Sequence, residues 1–287
     1  MMADFRAIDA PAFWLRLALS LALSAVTPAR AQFPFDVPYV PTPQVVVDEM
    51  LRLANVGAED FVIDLGSGDG RIPITAAKKF GARALGVDLD SHLIIESEEN
   101  AREAAVEDRV KFLQQDLFKT DLGPATVITM YLLPAVNRRL RPRLLELKPG
   151  TRIVAHDFDL DDWKPDRKVT IRKNVFLWIV PAGVAGRWRM HLALPGGERA
   201  IELELRQHFQ EIDGQARAEG QIAAPLWEPR LEGDAIGFVV VDGEDRENEA
   251  SLYFEGRVNG SVMEGEVRRG VGSAQTRMKW RAVRVGS

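Results

Sequence analysis

The sequence predicts an α/β domain with a doubly wound, mainly parallel sheet, followed by a small all-β antiparallel domain. The α/β part is indicated by a glycine-rich turn after the apolar run Val62–Leu65 and by three predicted strands that each end in an aspartate. The all-β part is indicated by apolar residues that recur at every second position after Arg187. With 287 residues and 46% hydrophobic content, the chain is long enough for two cores.

The glycine-rich turn follows the first predicted strand and precedes a helix that we expect from Arg71 to Phe80. Glycines let the backbone turn tightly and approach a ligand closely. The spacing G-x-G-x-G, preceded by Asp64, differs from the G-x-G-x-x-G of dinucleotide-binding loops. It resembles the loop that binds S-adenosylmethionine (SAM) in class I methyltransferases. On that resemblance, Asp64 and Asp69 are expected at the amino acid end of the cofactor.

Two further predicted strands also end in acids. The second strand runs from Arg83 to Asp88, a helix is expected from Ser91 to Ala105, and the third strand covers Val110–Leu117. Because open α/β sheets bind ligands at the carboxyl ends of their strands, Asp88 is predicted to bind the ribose hydroxyls. The resemblance implies that Asp116 and Leu117 lie at the adenine.

A narrower resemblance comes from the segments on either side of this region. They are the Tyr-x-Pro-Thr-Pro lead-in within Asp36–Pro43 before a helix at Gln44–Ala54, the segment Thr126–Asn137, and Lys148–Phe158 with Trp163 after it. This assembly resembles the archaeal broad-specificity protein lysine methyltransferases and the mitochondrial ATP synthase c-subunit lysine methyltransferase family, over about Val37 to Val180. It implies a seven-stranded class I methyltransferase (Rossmann-like) sheet that ends in an antiparallel hairpin, Lys168–Arg172 with Asn174–Val180.

The predicted activity is therefore SAM-dependent methyl transfer to protein lysine side chains. Tyr39, Tyr131 and His156 are the candidate residues of the catalytic pocket, with Trp163 as a further candidate wall. Tyr39→Ala is expected to abolish transfer and to leave SAM binding intact. The predicted cofactor site comprises Thr42, Asp64, Gly66, Ser67, Gly68, Asp69, Gly70, Asp88, Asp116 and Leu117.

Composition limits the alternatives. A net charge of −5 argues against a nucleic-acid partner. The resemblance implies a protein with exposed lysines as the partner. The chain has no cysteine and its four histidines lack metal-ligand spacing, so no metal site is predicted. Arg138, Arg139, Arg141 and Arg143 are expected on a solvated helix face. Two other functions stay open: a small-molecule methyltransferase, and a non-catalytic exported binding protein with the same fold.

The N-terminus has the pattern of a secretory signal peptide. Arg16 precedes the apolar run Leu17–Val26, and an A-x-A site follows at Ala29–Ala31. The apolar run is too short to span a bilayer. We expect cleavage after Ala31 and export, to the periplasm if the host is bacterial. An uncleaved N-terminal anchor, with transient membrane association, is the alternative.

These observations give three regions: a signal peptide or anchor at 1–31, a methyltransferase domain at 32–184, and an all-β antiparallel barrel or sandwich domain at 185–287. In the last region Ile201, Leu203 and Leu205 alternate with charged residues. Turn signals recur along this region, and Asn-Gly is a strong hairpin signal. They are Asp213-Gly214, Glu232-Gly233, Asp242-Gly243 and Asn259-Gly260.

Overall fold

The computed structural model describes residues 39–194, 197–241, 251–270 and 275–286. The predicted signal peptide and the start of the lead-in lie outside the described residues, as does the predicted turn at Asp242-Gly243. In the described residues no helix is long and apolar enough to cross a membrane.

The first sheet has seven strands in the order β3-β2-β1-β4-β5-β7-β6. The first five are parallel, whereas β7 is antiparallel to both β5 and β6, so the predicted final hairpin is confirmed. The strands are β1 (Phe61–Leu65), β2 (Arg83–Asp88), β3 (Val110–Gln114), β4 (Val127–Met130), β5 (Arg152–His156), β6 (Arg167–Thr170) and β7 (Asn174–Ile179). The strand order reverses between β1 and β4, and doubly wound sheets bind their ligands at such a point.

Four helices accompany this sheet: α1 (Gln44–Leu53), α2 (Arg71–Phe80), α3 (Ser91–Glu103) and α4 (Pro134–Leu145). Side chains of α1, α2 and α3 share one buried cluster with alternate residues of the strands. Asp90 begins α3 by accepting a hydrogen bond from the amide of His92, and Gly81 ends α2 in the left-handed conformation. Helix α2 therefore has the predicted bounds.

Several predicted ends are displaced, among them the ends of α1, β6 and β7, and two of the displaced ends have a clear local cause. Helix α3 ends at Glu103, because Ala105 adopts a left-handed φ of 54°. Strand β3 ends at Gln114, and a 3₁₀ turn at Leu117–Lys119 follows it. The Asp116 side chain accepts a hydrogen bond from the amide of Phe118. This local bond stabilises the turn in place of further strand.

The second sheet is a nearly closed, nine-stranded antiparallel barrel. Its strands follow the order β11-β10-β9-β8-β16-β15-β14-β13-β12. They are β8 (Gly186–Leu194), β9 (Gly197–His208), β10 (Glu211–Ala218), β11 (Ala224–Pro225), β12 (Trp227–Glu232), β13 (Ala235–Val241), β14 (Ser251–Asn259), β15 (Val262–Arg269) and β16 (Thr276–Arg284). The amide of Leu226 donates to the carbonyl of Gly214, which draws the two ends of the sheet together.

The alternation after Arg187 is confirmed, since Ile201, Leu203 and Leu205 are buried in the barrel core. The turn predicted at Glu232-Gly233 is displaced by one residue, because Glu232 pairs with Ala235 and the loop is Gly233-Asp234. The turn predicted at Asp213-Gly214 is wrong: Gly214 lies inside β10, where a Cβ would overlap the carbonyl of Glu204 on β9. This glycine permits close strand approach and does not mark a turn.

The loop of the β14–β15 hairpin is displaced by one residue from its prediction. Strand β14 continues through Asn259, which pairs with Val262, so the two-residue loop is Gly260-Ser261. Gly260 has a φ of 58°, as the first position of a type II′ turn requires. The Asn-Gly pair therefore marked the hairpin correctly but not its loop.

Candidate functional site

The glycine loop joins β1 to α2 and adopts a backbone conformation that is unfavourable for residues with a Cβ atom. Gly66, Gly68 and Gly70 have φ values of 77°, 54° and 79°. The amides of Gly66 and Ser67 donate to the carbonyl of Val87, at 2.9 and 3.0 Å. The loop is thus fixed to the carboxyl end of β2, and its backbone is free of Cβ atoms where a ligand would approach.

Asp88, at the end of β2, supports this loop directly. One carboxylate oxygen accepts a hydrogen bond of 3.0 Å from the amide of Gly68, and the other accepts one of 3.0 Å from the amide of Asp90. Asp88, the residue predicted to bind the ribose hydroxyls, therefore lies beside the glycine loop. Its carboxylate also holds the loop in place.

Asp64 is almost completely buried, with 2% of its surface exposed. The pKa of its carboxyl group is raised to about 8, mainly by burial and also by the charges of Asp88 and Asp69. The hydroxyl of Thr129, which donates to it at 2.7 Å, lowers the pKa in part. Asp64 was predicted to contact the cofactor. The structure shows it below the loop, bonded to β4.

Asp69 is paired with Arg71, a residue that sequence reasoning missed. The Nε of Arg71 donates to Asp69 at 2.9 Å, and its Nη1 donates to the carbonyl of Thr42 at 2.9 Å. Burial alone would raise the pKa of Asp69, but the hydrogen bonds and charge of Arg71 hold it below its usual value. The side chain of Asn100 donates to the backbone carbonyl of Asp69 at 2.9 Å. The signal for Arg71 was its place at the start of α2, two residues after the acid.

Asp116 and Leu117 lie after β3, on the turn described above. Arg143 fixes this turn, because its guanidinium donates to the carbonyls of Phe118 at 2.8 Å and Thr120 at 2.6 Å. The expectation that the arginines of α4 form a solvated face is therefore wrong for Arg143, and also for Arg141, whose Nη1 donates to the carbonyl of Leu160 at 3.0 Å. Two exposed apolar side chains lie on neighbouring elements, Leu89 directly after β2 and Leu113 within β3.

The lead-in segment lies over the glycine loop. The ring of Tyr39 packs so closely against Gly68 that a Cβ there would overlap it. Burial, followed by the charge and a hydrogen bond of Asp69, raises the pKa of the Tyr39 hydroxyl. Tyr39 therefore contacts the loop itself, and we expect Tyr39→Ala to weaken SAM binding as well as transfer. This replaces the sequence-based expectation.

The structure brings Tyr131, His156 and Thr42 together at the ends of β4 and β5. The centroids of the Tyr131 and His156 rings are 4.0 Å apart, and Phe158 stacks on Tyr131 at 6.2 Å. Thr42 Oγ1 and His156 Nδ1 share a hydrogen bond of 3.1 Å, which joins the lead-in to β5. Phe158 was not predicted, although it follows His156 by two residues.

His156 is held neutral in this group. Its ring is buried, which lowers its pKa, while Asp157 raises it and Lys173 lowers it to smaller extents. The Nζ of Lys173 lies 2.8 Å from the Asp157 carboxylate, and Asp157 has a left-handed φ of 64°. Backbone in this region is uncommon for residues other than glycine and concentrates at functional sites.

Trp163 does not belong to this group. It is fully buried, 6.3 Å from Trp178 and 5.7 Å from Phe209 of the second sheet by ring centroids. The prediction that it lines the pocket is therefore wrong. Trp163 packs instead on Phe209, which lies more than forty residues further along the chain, so the residues near Trp163 in the sequence could not indicate this partner.

The remaining groups fit a SAM-like ligand. Ser67 Oγ and His156 Nε2 are buried and have no hydrogen-bond partner within the described part of the chain. Buried polar atoms of this kind are normally satisfied, so a ligand that supplies partners is consistent with both. Carboxylates at the strand ends suit hydroxyl and ammonium groups, and exposed Leu89 and Leu113 suit an aromatic base.

Comparisons with known proteins agree with this geometry. The model of the ANTKMT methyltransferase domain matches residues 64–167, from the end of β1 to the start of β6. The protein-lysine N-methyltransferase of Saccharolobus islandicus (strain REY15A) is 43% identical over 151 residues, which cover 50% of this chain and 94% of that protein. The ATP synthase c-subunit lysine N-methyltransferase of Mus musculus is 32% identical over 148 residues, covering 51% and 58% respectively.

One solved structure is also similar. It is described as an RNA methyltransferase from Salinibacter ruber in complex with S-adenosyl-L-homocysteine. The two chains are 52% identical, with a TM-score of 0.50, and the match covers 50% of this chain and 96% of that one. S-adenosyl-L-homocysteine is the product that SAM becomes after it has given up its methyl group.

Proposed function

We propose that this chain, which belongs to the family of SAM-dependent protein lysine methyltransferases, transfers methyl groups from SAM to lysine side chains on exposed protein segments. The observation that carries this proposal is the aromatic group Tyr131, His156 and Phe158 after the ends of β4 and β5. Leu132, which follows Tyr131, packs against Gly66 of the glycine loop. Thr42, which the sequence analysis placed in the cofactor site, adds a short polar side chain to this group through its hydrogen bond to His156. We call Thr42, Tyr131, His156 and Phe158 the acceptor slot.

The acceptor slot suits a long unbranched amine. A lysine amine has an unperturbed pKa of ~10.4 and must be neutral to attack, so a site that desolvates the ammonium favours the reactive form. The rings of Tyr131 and Phe158 supply apolar walls, and neutral His156 adds no positive charge that would repel the amine. SAM supplies a methyl group on a positively charged sulfur.

The residues around the slot contribute mainly by alignment. The neutral amine attacks the methyl carbon in line with the carbon–sulfur bond, that bond breaks, and the amine then loses a proton to solvent. Holding the two partners in line accounts for much of the rate of such displacements. We assign Asp88 and the loop Gly66–Gly70 to the cofactor, with Asp116 and Leu117 at its adenine, and the acceptor slot to the lysine.

The test is incubation of the full chain and methyl-labelled SAM with separate protein, RNA and low-mass fractions of a cell extract. We expect label in protein, recovered as methyllysine after hydrolysis. Asp88→Ala should remove hydrogen bonds to a charged group worth roughly 1.5–3 kcal/mol each, and so weaken SAM binding at least tenfold. Asp108→Ala, an exposed aspartate far along the chain from the loop, is the matched control.

The other outcomes have distinct meanings. Label in RNA would extend to this chain the description given to the Salinibacter ruber protein, and label only in low-mass material would indicate a small-molecule substrate. Methyl groups on glutamate or arginine would contradict the lysine assignment alone. SAM binding without any transfer would support a non-catalytic binding protein.

We also propose that residues 1–31 direct export and are removed after Ala31. The basic flank, short apolar run and A-x-A site support this proposal. The check is the first residue of the mature protein and the cell fraction that contains it. Gln32 in a soluble exported fraction is the expected result. An intact N-terminus in the membrane fraction would favour the anchor, and an intact N-terminus in the cytosol would exclude both.

A further inference from the structure

The chain that follows β5 is held by a turn of the second sheet. Strand β9 ends at His208 and β10 begins at Glu211, so Phe209 and Gln210 form a two-residue turn. The indole Nε1 of Trp163 donates to Gln210 Oε1 at 2.9 Å, and Gln210 Nε2 donates to the carbonyl of Lys164 at 2.7 Å. The side-chain amide of Gln210 therefore accepts a hydrogen bond from Trp163 and donates one to the next residue, Lys164.

Phe209 adds a ring contact with Trp163, although its own backbone conformation is unfavourable. Its φ is 54°, in the left-handed region that a bulky residue rarely adopts. Its ring stacks on Trp163 with an interplanar angle of 20°, and the guanidinium of Arg141 lies 5.8 Å from the ring centroid. Unfavourable backbone of this kind persists where the surrounding contacts impose it. A two-residue hairpin loop requires a positive φ at its first position, and the stacking on Trp163 holds a bulky residue there.

The same segment is bound on its other side by α4. Asn137 Nδ2 donates to the carbonyl of Asp159 at 3.0 Å, and Arg141 Nη1 donates to that of Leu160 at 3.0 Å. The indole of Trp178 on β7 donates to the carbonyl of Trp163 at 2.7 Å. Residues 158–164, which we call the bridge segment, are thus fixed between α4, β7 and the barrel.

The bridge segment begins inside the acceptor slot. Phe158 is its first residue and stacks on Tyr131, and the amide of Phe158 donates to the carbonyl of His156 at 2.8 Å. A shift at Trp163 or Lys164 therefore passes along a short, hydrogen-bonded stretch to the wall of the slot. Misplacement by about 1 Å can reduce the rate of an aligned displacement about a hundredfold.

We infer that the turn Phe209-Gln210 is a positioning element for methyl transfer, which sets the acceptor slot by holding the bridge segment. This inference rests on the proposed function, because it assigns the slot to the acceptor. It makes the barrel a working part of the methyltransferase. The turn acts on the acceptor side, since the hydrogen bonds of Gln210 go to residues 163 and 164 and the glycine loop is held by Asp88 and Val87.

The test compares Gln210→Ala with Gln215→Ala in the full chain. Gln215 lies on β10 and donates to Glu204 on the exposed surface of the barrel, so the control removes the same amide from the same sheet. At saturating SAM we expect kcat/KM for the protein acceptor to fall at least tenfold in Gln210→Ala. The dissociation constant of SAM should stay within twofold of the unchanged chain. Gln215→Ala should change neither quantity.

Two further measurements separate positioning from general stability. Gln210→Glu keeps the acceptor for the Trp163 indole but loses the donor to Lys164, so its kcat/KM should lie between those of the unchanged chain and Gln210→Ala. Hydrogen exchange in peptides that cover residues 158–164 should be faster in Gln210→Ala than in Gln215→Ala. The exchange readout requires no activity.

The outcomes distinguish the two proposals. If the unchanged chain methylates lysine and Gln210→Ala is equally active, or if its exchange at residues 158–164 is unchanged, the positioning role is overturned. A parallel loss of SAM affinity would also overturn it. If the unchanged chain transfers no methyl group to lysine, the proposed function fails. Faster exchange alone would then show that the turn holds the segment without serving lysine transfer.

Discussion

Two buried groups at the strand ends, Asp64 and His156, are held in their uncharged forms. Burial raises the pKa of Asp64 to about 8 and lowers that of His156. Both effects have the same cause, since removal from water disfavours the charged form of either group. Around neutral pH the centre of the sheet therefore carries little charge of its own. Charge in the site comes from Asp88 and from the Asp69–Arg71 pair at the loop.

The raised pKa of Asp64 predicts how stability depends on pH. The folded chain keeps a proton on Asp64 that the unfolded chain has lost between about pH 4 and pH 8, so the free energy of unfolding should fall as pH rises through that window. The asparagine of the variant Asp64→Asn has no titrating proton, so the variant does not lose stability in this way. The free energy of unfolding of the variant minus that of the unchanged chain should therefore rise from about pH 5 to about pH 9, measured by urea unfolding without ligand. A difference in stability that stays constant over this pH range would show that the pKa of Asp64 is not raised in the folded chain.

At the scale of elements, the glycine loop combines three constraints in five residues. Its backbone is left-handed at alternate positions, its amides bond to Val87 and Asp88, and the ring of Tyr39 covers Gly68. The loop therefore connects the lead-in segment, β1 and β2. A change in any of these elements alters the surface that receives the cofactor.

Gly68→Ala tests this convergence. A Cβ at this position meets the Tyr39 ring and forces a left-handed alanine, which costs roughly 1–2 kcal/mol before any clash is counted. We expect at least a tenfold loss of SAM affinity and a lower melting temperature. Gly57→Ala is the matched control, because a Cβ there has no neighbour within 4 Å. Normal SAM affinity in Gly68→Ala would mean that the loop does not contact the ligand closely.

At the scale of the whole molecule, the two sheets are joined by more than the connecting chain. The Nη2 of Arg167 on β6 donates to a carboxylate oxygen of Glu232 on β12 at 3.3 Å, and the Nζ of Lys164 donates to Glu211 on β10 at 2.7 Å. Trp163 is buried between them. The strands of the first sheet end at Ile179 and those of the barrel begin at Gly186, yet the contacts extend across this boundary.

A fragment of residues 32–184 separates the contributions of the two sheets. The glycine loop and Asp88 keep all their hydrogen bonds within it, so we expect it to bind SAM in a calorimetric titration. It loses Phe209 and Gln210, so it should melt at a lower temperature than the full chain and transfer methyl groups poorly. The fragment 185–287 should give an all-β circular dichroism spectrum. Failure of the first fragment to bind SAM would make the barrel part of the cofactor site.

The sequence by itself determined the order of the elements and the region that receives the cofactor. Apolar runs, glycines and strand-end acids are local signals, so Gly66–Gly70, Asp88 and the final hairpin could be located from a few residues each. The alternation of apolar and polar residues located the barrel region in the same way. Local signals left small errors at the ends of α3 and β3, where side-chain hydrogen bonds and a left-handed residue compete with regular structure.

Only the tertiary structure decided which partner each side chain has. Asp64 is hydrogen-bonded to Thr129, 65 positions away in the sequence, and Thr42 is hydrogen-bonded to His156, 114 positions away. The residues around each of these positions in the sequence do not indicate such distant partners. Trp163 was placed in the pocket because its segment matched a family pattern, but Phe209 and Gln210 cover it from the barrel. Burial and hydrogen bonding depend on the atoms that surround a group in space, and these come from distant parts of the chain.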